Sequence, residues 1–166
     1  MQLDDAKTQF IQAWGALGSD WGISRTMAQI HALLLICPEP LSADEVMEQL
    51  QISRGNANMN LRALIDWGLV YKRLQAGERK DFFVAEKDMW EVIKKVIIQR
   101  KRRELEPLNR VLDDLVSIDE NTEDAREFER VIRDIKMFGS KADNALETLT
   151  RADSNWFVGT FMKMIR

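Results

Sequence analysis

The sequence predicts a mainly α-helical fold that carries one short β-hairpin, and three observations predict it. Apolar residues recur at steps of three and four along most of the 166 residues, the spacing that lines one face of a helix. Two short stretches with helix-start signals follow one another between residues 42 and 67, separated by only two or three residues. A β-rich run, a polar turn around one glycine and a second β-rich run come directly after them.

The first helix is read over residues 3 to 19, with Phe10, Trp14, Leu17 and Trp21 at helical spacing and Gly18 near its end. A second starts after Ser24, a good N-cap, and runs through Met27, Ile30, Leu33, Leu34 and Leu35 to Cys37. Pro38 and Pro40 stop it, because neither has a backbone N–H to donate. In Leu41-Ser42-Ala43-Asp44-Glu45, a Ser N-cap with Glu three positions on forms a capping box, and a helix to about Leu50 buries Val46, Met47 and Leu50. Ser53 caps the next helix, in which Ala57, Leu61, Leu64 and Ile65 make one buried stripe. Gly68 after Trp67 ends it in the left-handed conformation.

Leu69 to Leu74 is then a strand, Gln75 to Lys80 a turn with Gly77 inside it, and Asp81 to Val84 the returning strand. Two short helices joined by a tight turn form a helix-turn-helix, and a hairpin directly behind the second is a wing. From an N-cap at Asp88 a long helix carries Trp90, Ile93, Val96 and Ile97, then Leu105, Leu108, Leu112 and Leu115. Pro107 predicts a kink near residue 103 or a break into two helices. After a polar, acidic connection from Ser117 to Thr122, the residues Phe128, Val131, Ile135, Phe138, Ala142, Ala145 and Leu149 form a heptad seam. A last segment from Asp153 sets Phe157, Phe161, Met164 and Ile165 on one face beside Trp156. The expected architecture is a winged helix-turn-helix with an N-terminal helix over residues 1–87 and helical dimerisation arms over 88–166.

Composition narrows the function. With 45% hydrophobic and 31% charged residues the chain fits a folded domain, and no apolar run approaches the roughly 20 residues of a membrane span. Asp4 and Asp5 at the amino end do not suit a secretory signal, so a cytoplasmic protein is expected. One cysteine, Cys37, and one histidine, His31, cannot build an intrachain disulfide or a Cys/His zinc cluster, and no nucleophile-base-orienter set is present. No cofactor and no enzymatic activity are expected, although a site made of Asp and Glu alone is not formally excluded.

Charge is segregated. Residues 53–103 hold thirteen Lys and Arg against six Asp and Glu, while the flanks are each acidic by five, so a chain of net charge −3 still carries a local basic field. On the helix behind Ser53, the buried stripe leaves Arg54, Gly55, Asn56, Asn58, Met59 and Arg62 on or near the outer surface, mostly in the two turns that a recognition helix presents to the major groove. Arg pairs with phosphate or the guanine O6/N7 edge, and Asn with the adenine edge. Asn56, Asn58 and Asn60 are poor helix formers, so something other than helix propensity selects them. Ser42 and Ser53 at the helix starts, Lys72 and Arg73 on the first wing strand, and Arg79 and Lys80 at its turn complete the expected contacts to double-stranded DNA. Arg100 to Arg103 either track the DNA backbone or form a solvated helix face.

The seam of Phe128, Val131, Ile135, Phe138, Ala142 and Leu149 needs a partner, either another helix of the chain or the matching helix of a second copy. A homodimer is the expected answer, because a helix-turn-helix reads two half-sites by two-fold symmetry. Trp14, Trp21, Trp67, Trp90 and Trp156 are either core residues or the lining of an effector pocket.

With these residues in place, the sequence resembles the MarR superfamily of bacterial regulators, and specifically its GbsR branch. The resemblance rests on Ser24 through Leu35, Pro40 through Glu45, Ser53 through Asn56, Asn60 through Arg62, Trp67 through Val70 and Gly77 through Lys80, in the family's order. It implies a homodimer on a palindromic operator, usually a repressor, with some members releasing DNA when a small molecule binds. From another class, a winged-helix protein-interaction or assembly module would have the same fold with an incidental basic face. Steep weakening of duplex binding by salt separates the two.

Overall fold

The computed structural model describes residues 1–115 and 118–152, in two compact units divided between Val92 and Ile93. The first unit opens with α1 (Leu3–Asp20) and α2 (Arg25–Ile36). Ser24 caps α2 by accepting a hydrogen bond from the Met27 N–H, and the helix buries Met27, Ala28, Ile30, His31, Ala32, Leu33 and Leu34. It is apolar nearly all round, as a central helix must be.

Helix α1 differs from its sequence reading. It runs through Gly18 to Asp20, and the left-handed turn falls to Gly22, at φ +76°. Its buried residues are Ile11, Gly15 and Gly18, while Leu17 and Trp21 of the aromatic stripe are exposed. The reason is close helix packing: a Cβ on Gly18 would stand 2.5 Å from the Ala28 Cβ. Small residues let α1 lie against α2, and that contact turns part of the larger stripe away.

β1 (Leu41–Ser42), α3 (Ala43–Leu50) and α4 (Arg54–Asp66) follow, then β2 (Val70–Arg73) and β3 (Phe82–Ala85). The two-residue β1, read from the sequence only as a capping segment, pairs antiparallel with β3, Leu41 opposite Phe83 and Ser42 opposite Phe82. The sheet order is β1-β3-β2, with Val70 opposite Ala85 and Arg73 opposite Phe82. Ile30, Leu34, Val46, Leu61, Leu64 and Val70 are the most deeply buried large side chains of this unit among the described residues. Each such residue contributes about 1.5–3 kcal/mol of burial energy, which fixes α3, α4 and the hairpin around α2.

Helix α4 ends as expected at Gly68, φ +72°. The Gly68 N–H donates to Ile65 O at 2.8 Å and the Leu69 N–H to Leu64 O at 2.9 Å, a Schellman pair. The Leu69 carbonyl in turn accepts from the Glu86 N–H at 2.9 Å, so the helix end and the base of the hairpin share one hydrogen-bonded corner.

Asp88 caps α5 (Met89–Arg100), accepting from the N–H groups of Trp90 and Glu91. The perturbation expected at Pro107 takes the form of a π-helical turn, Lys101–Leu105, in which the Glu106 N–H donates to Lys101 O. Pro107 has no N–H for the carbonyl four residues back, and the wider register accommodates that loss without breaking the helix before α6 (Glu106–Asp114). In α7 (Glu123–Arg151), Thr122 caps the start by accepting from the Ala125 N–H at 3.1 Å. This helix packs on α6, burying Leu112, Ala125 and Ile132, and Lys101 pairs with Asp143 at 3.0 Å. Ser117 and the segment from Asp153, with Trp156, Phe157, Phe161, Met164 and Ile165, lie outside the described residues. Among the described residues no helix is long and apolar enough to cross a membrane.

Candidate nucleic-acid interface

The first unit presents one face built from α3, the turn after it, α4 and the hairpin. The Ser42 hydroxyl accepts from the Glu45 N–H at 3.3 Å and donates to Glu45 Oε2 at 2.6 Å, while the Ser42 N–H donates to the same oxygen at 2.7 Å. Those two bonds hold the Glu45 carboxyl below the usual carboxylate range. Ser42 is therefore buried with its hydroxyl committed, and it does not join the outer surface with the other predicted contacts. In the turn, Gln51 takes the left-handed conformation at φ 52° and the Ile52 N–H donates to Met47 O. Ser53 then opens α4 by accepting from the Asn56 N–H at 3.3 Å.

Arg54, Gly55, Asn58, Met59 and Arg62 stand together on the outer face of α4, and Asn56 is half-buried beside them. Met59 is 64% exposed in the middle of this row, an apolar group with nothing of its own chain to cover it among the described residues. Gly55 is open as well, because a Cβ there would meet no heavy atom within 4 Å. Among the described residues no packing requires glycine at this position, although alanine is the better helix former.

The inner face holds a residue that the apolar stripe does not anticipate. Asn60 is only 3% exposed, next to Ala57, Leu61 and Leu64, while Ile65 is half-exposed. A buried amide without partners would cost roughly 1–3 kcal/mol. The Asn60 Nδ2 instead donates to the Asn56 carbonyl at 2.8 Å and to Asn56 Oδ1 at 2.7 Å. Its signal was the i, i+4 spacing of the two residues, which puts their side chains in reach on a helix.

In the wing, Lys72, Arg73, Arg79 and Lys80 are all exposed and Gly77 makes the turn at φ +85°. Lys72 pairs with Asp81 at 2.7 Å. Asp44, read in the sequence only as part of a capping box, lies between Arg54 at 3.1 Å and Lys80 at 3.8 Å, and so links the start of α3, the start of α4 and the wing turn. Such exposed pairs contribute 0–1 kcal/mol each, so the cations exchange these partners easily. Arg62, Arg73 and Arg79 form no ion pair among the described residues. The arrangement offers cations, amides and one apolar group on a projecting helix, with more cations on an adjacent ribbon.

Residues 21–81, which contain this face, match the family model of the MarR family. Over these residues the chain is similar to the MarR family, and its fold is a winged helix-turn-helix. Two curated proteins are also similar: the HTH-type transcriptional regulator MmpR5 of Mycobacterium tuberculosis is 29% identical over 76 residues, 45% of this chain and 46% of that protein. The HTH-type transcriptional repressor GbsR of Bacillus subtilis is 29% identical over 86 residues, 52% of this chain and 47% of that protein. The chain thus spans about half the length of the curated relatives it matches. A solved structure described as that of a transcriptional regulator shares the fold, with a TM-score of 0.56 at 20% identity over 89% of this chain and 99% of the other.

In the second unit, helix α7 presents the predicted seam. Phe128, Val131, Ile135 and Phe138 are exposed, Phe138 by 74%, and Ala142 and Leu149 are half-buried. The residues that meet α6, Ala125 and Ile132, lie about a quarter-turn round the helix from this seam. The basic run divides: Arg100 pairs with Glu104 and Lys101 with Asp143. Of the tryptophans, Trp14 meets Phe10 in a tilted contact at 5.5 Å between ring centres and lies 6.3 Å from the His31 ring, Trp67 is buried, and Trp21 is exposed.

Proposed function

We propose that this chain is a DNA-binding transcriptional regulator, acting as a repressor, that reads a palindromic operator as a homodimer. The observation that carries the reading is the row of Arg54, Asn58, Met59 and Arg62 exposed on a capped helix, with the cationic wing beside it. Arg and Asn supply hydrogen bonds to base edges and phosphates, Met59 supplies an apolar contact for a thymine methyl, and the wing cations meet the backbone or the minor groove. Similarity to a curated repressor supports the direction of control. The exposed α7 seam supports pairing with a second copy, since Phe128, Val131, Ile135 and Phe138 form a heptad pattern that is not covered among the described residues.

Fluorescence anisotropy with genomic duplex fragments retained by the purified protein tests the proposal. Binding is expected to weaken steeply with salt, and Arg62→Ala to lose about 1–3 kcal/mol of operator affinity with no change in melting temperature. Wild-type affinity in Arg62→Ala removes Arg62 from the contact surface, and no duplex binding at low salt sinks the proposal.

A further inference from the structure

We propose that Asn60, although buried, is a positioning residue for base recognition: it holds Asn56 with its amide nitrogen outward, so that Asn56 selects guanine at one base pair of each half-site. The inference rests on the reading of α4 as a major-groove helix. It starts from hydrogen-bond polarity. A backbone carbonyl only accepts, so the side-chain atom of Asn60 at 2.8 Å from Asn56 O is the amide nitrogen. That nitrogen has a second hydrogen, which goes to the Asn56 side chain at 2.7 Å, and the atom receiving it is Oδ1.

The carbonyl end of Asn56 is thereby turned onto a residue that is only 3% exposed. Oδ1 keeps a second lone pair but is turned to the inner side, so the end that Asn56 directs outward is its NH₂ group, with two hydrogens to donate. Guanine offers two adjacent acceptors, O6 and N7, on its major-groove edge. Adenine offers one acceptor and one donor, and matching it takes both ends of an asparagine amide. Asn56 therefore meets adenine N6 donor to donor and loses that contact. Asn58, exposed and making no side-chain hydrogen bond among the described residues, keeps both ends of its amide for adenine. Two asparagines two positions apart are thus given different base preferences by a third on the inner face.

The test is selection from a random duplex library by the full chain, as wild type, Asn56→Ala and Asn60→Leu, with sequencing of the bound pools and a melting curve for each protein. One position per half-site is expected to be guanine in the wild-type motif and to lose its preference in Asn56→Ala. At that same position Asn60→Leu is expected to relax discrimination against adenine by roughly tenfold, with the other positions unchanged. An A·T pair in either orientation at the Asn56-dependent position of the wild-type motif overturns the proposal, and so does an Asn56→Ala motif identical to wild type. A folded Asn60→Leu that keeps the full guanine preference overturns it too. Where Asn60→Leu fails to fold, the base at the Asn56-dependent position decides. A wild-type pool with no enriched motif sinks the DNA-binding reading itself and takes this inference with it.

Discussion

Lowering the pH should destabilise the first unit through one side chain, His31. It is 4% exposed on α2, its ring is 6.3 Å from that of Trp14, and its Nε2 has no hydrogen-bond partner among the described residues. Burial without a counter-charge pushes its pKa from 6.5 down to about 4. Since the folded value lies below the unfolded one, the unfolded chain takes up a proton between these limits while the folded chain does not. The stability in question is therefore complete above about pH 6.5 and is lost as pH falls toward 4. At 1.36 kcal/mol per pKa unit, the loss between pH 7 and pH 4.5 is about 2.5 kcal/mol, a large part of the 5–15 kcal/mol that typically holds a domain together. Urea unfolding at the two pH values, followed by tryptophan fluorescence, measures it. His31→Leu removes the titrating group and the orphan nitrogen together, so its loss over the same interval should be smaller by about that amount. An equal loss in wild type and variant would refute the assignment, because the acid sensitivity would then belong to carboxylates.

Gly55→Ala should raise the melting temperature slightly, since nothing among the described residues opposes the added methyl and alanine is the better helix former, by less in the first turn than the roughly 1 kcal/mol of a helix interior. Duplex affinity should fall in the same variant, and unchanged affinity would show that no partner approaches closely there. Asp44→Asn should tighten non-specific duplex binding several-fold at low salt, because one unit charge about 4 Å from a phosphate is worth about 1 kcal/mol in water. Weaker binding would instead make Asp44 an orienting partner for Arg54 and Lys80. Phe138→Glu, on the most exposed aromatic of α7, should shift sedimentation velocity toward the monomer without altering the far-ultraviolet spectrum, and an unchanged sedimentation coefficient removes Phe138 from the interface.

Most of the fold was legible because local chemistry decides it. Ser24, Ser42, Ser53 and Asp88 all cap the helices they precede, Gly68 terminates α4, and the β-rich runs around Gly77 form the hairpin. What escaped depends on contacts between distant residues. The pairing of Leu41 and Ser42 with Phe83 and Phe82 spans about forty residues and leaves no periodic trace in a two-residue strand. In α1, the glycine approach to Ala28 outweighed the larger aromatic stripe. Within the interface, Asp44 was hidden by its ordinary place in a capping box, and Asn60 by its position in an otherwise apolar stripe. Ser42 failed in the opposite sense, since a strong capping signal says where a helix begins and nothing about which way the hydroxyl points.

The corner at Gly68 and Leu69 has a mechanical consequence. Because one carbonyl there receives the N–H of Glu86 while its own N–H closes the end of α4, the ribbon cannot pivot against the helix without breaking consecutive hydrogen bonds. The pair behaves as a caliper with a fixed opening. If the helix and ribbon grip DNA as proposed, a duplex whose grooves are spaced differently, through bending or a change in minor-groove width, would lose contacts on one jaw or the other, even at base pairs that no side chain reaches.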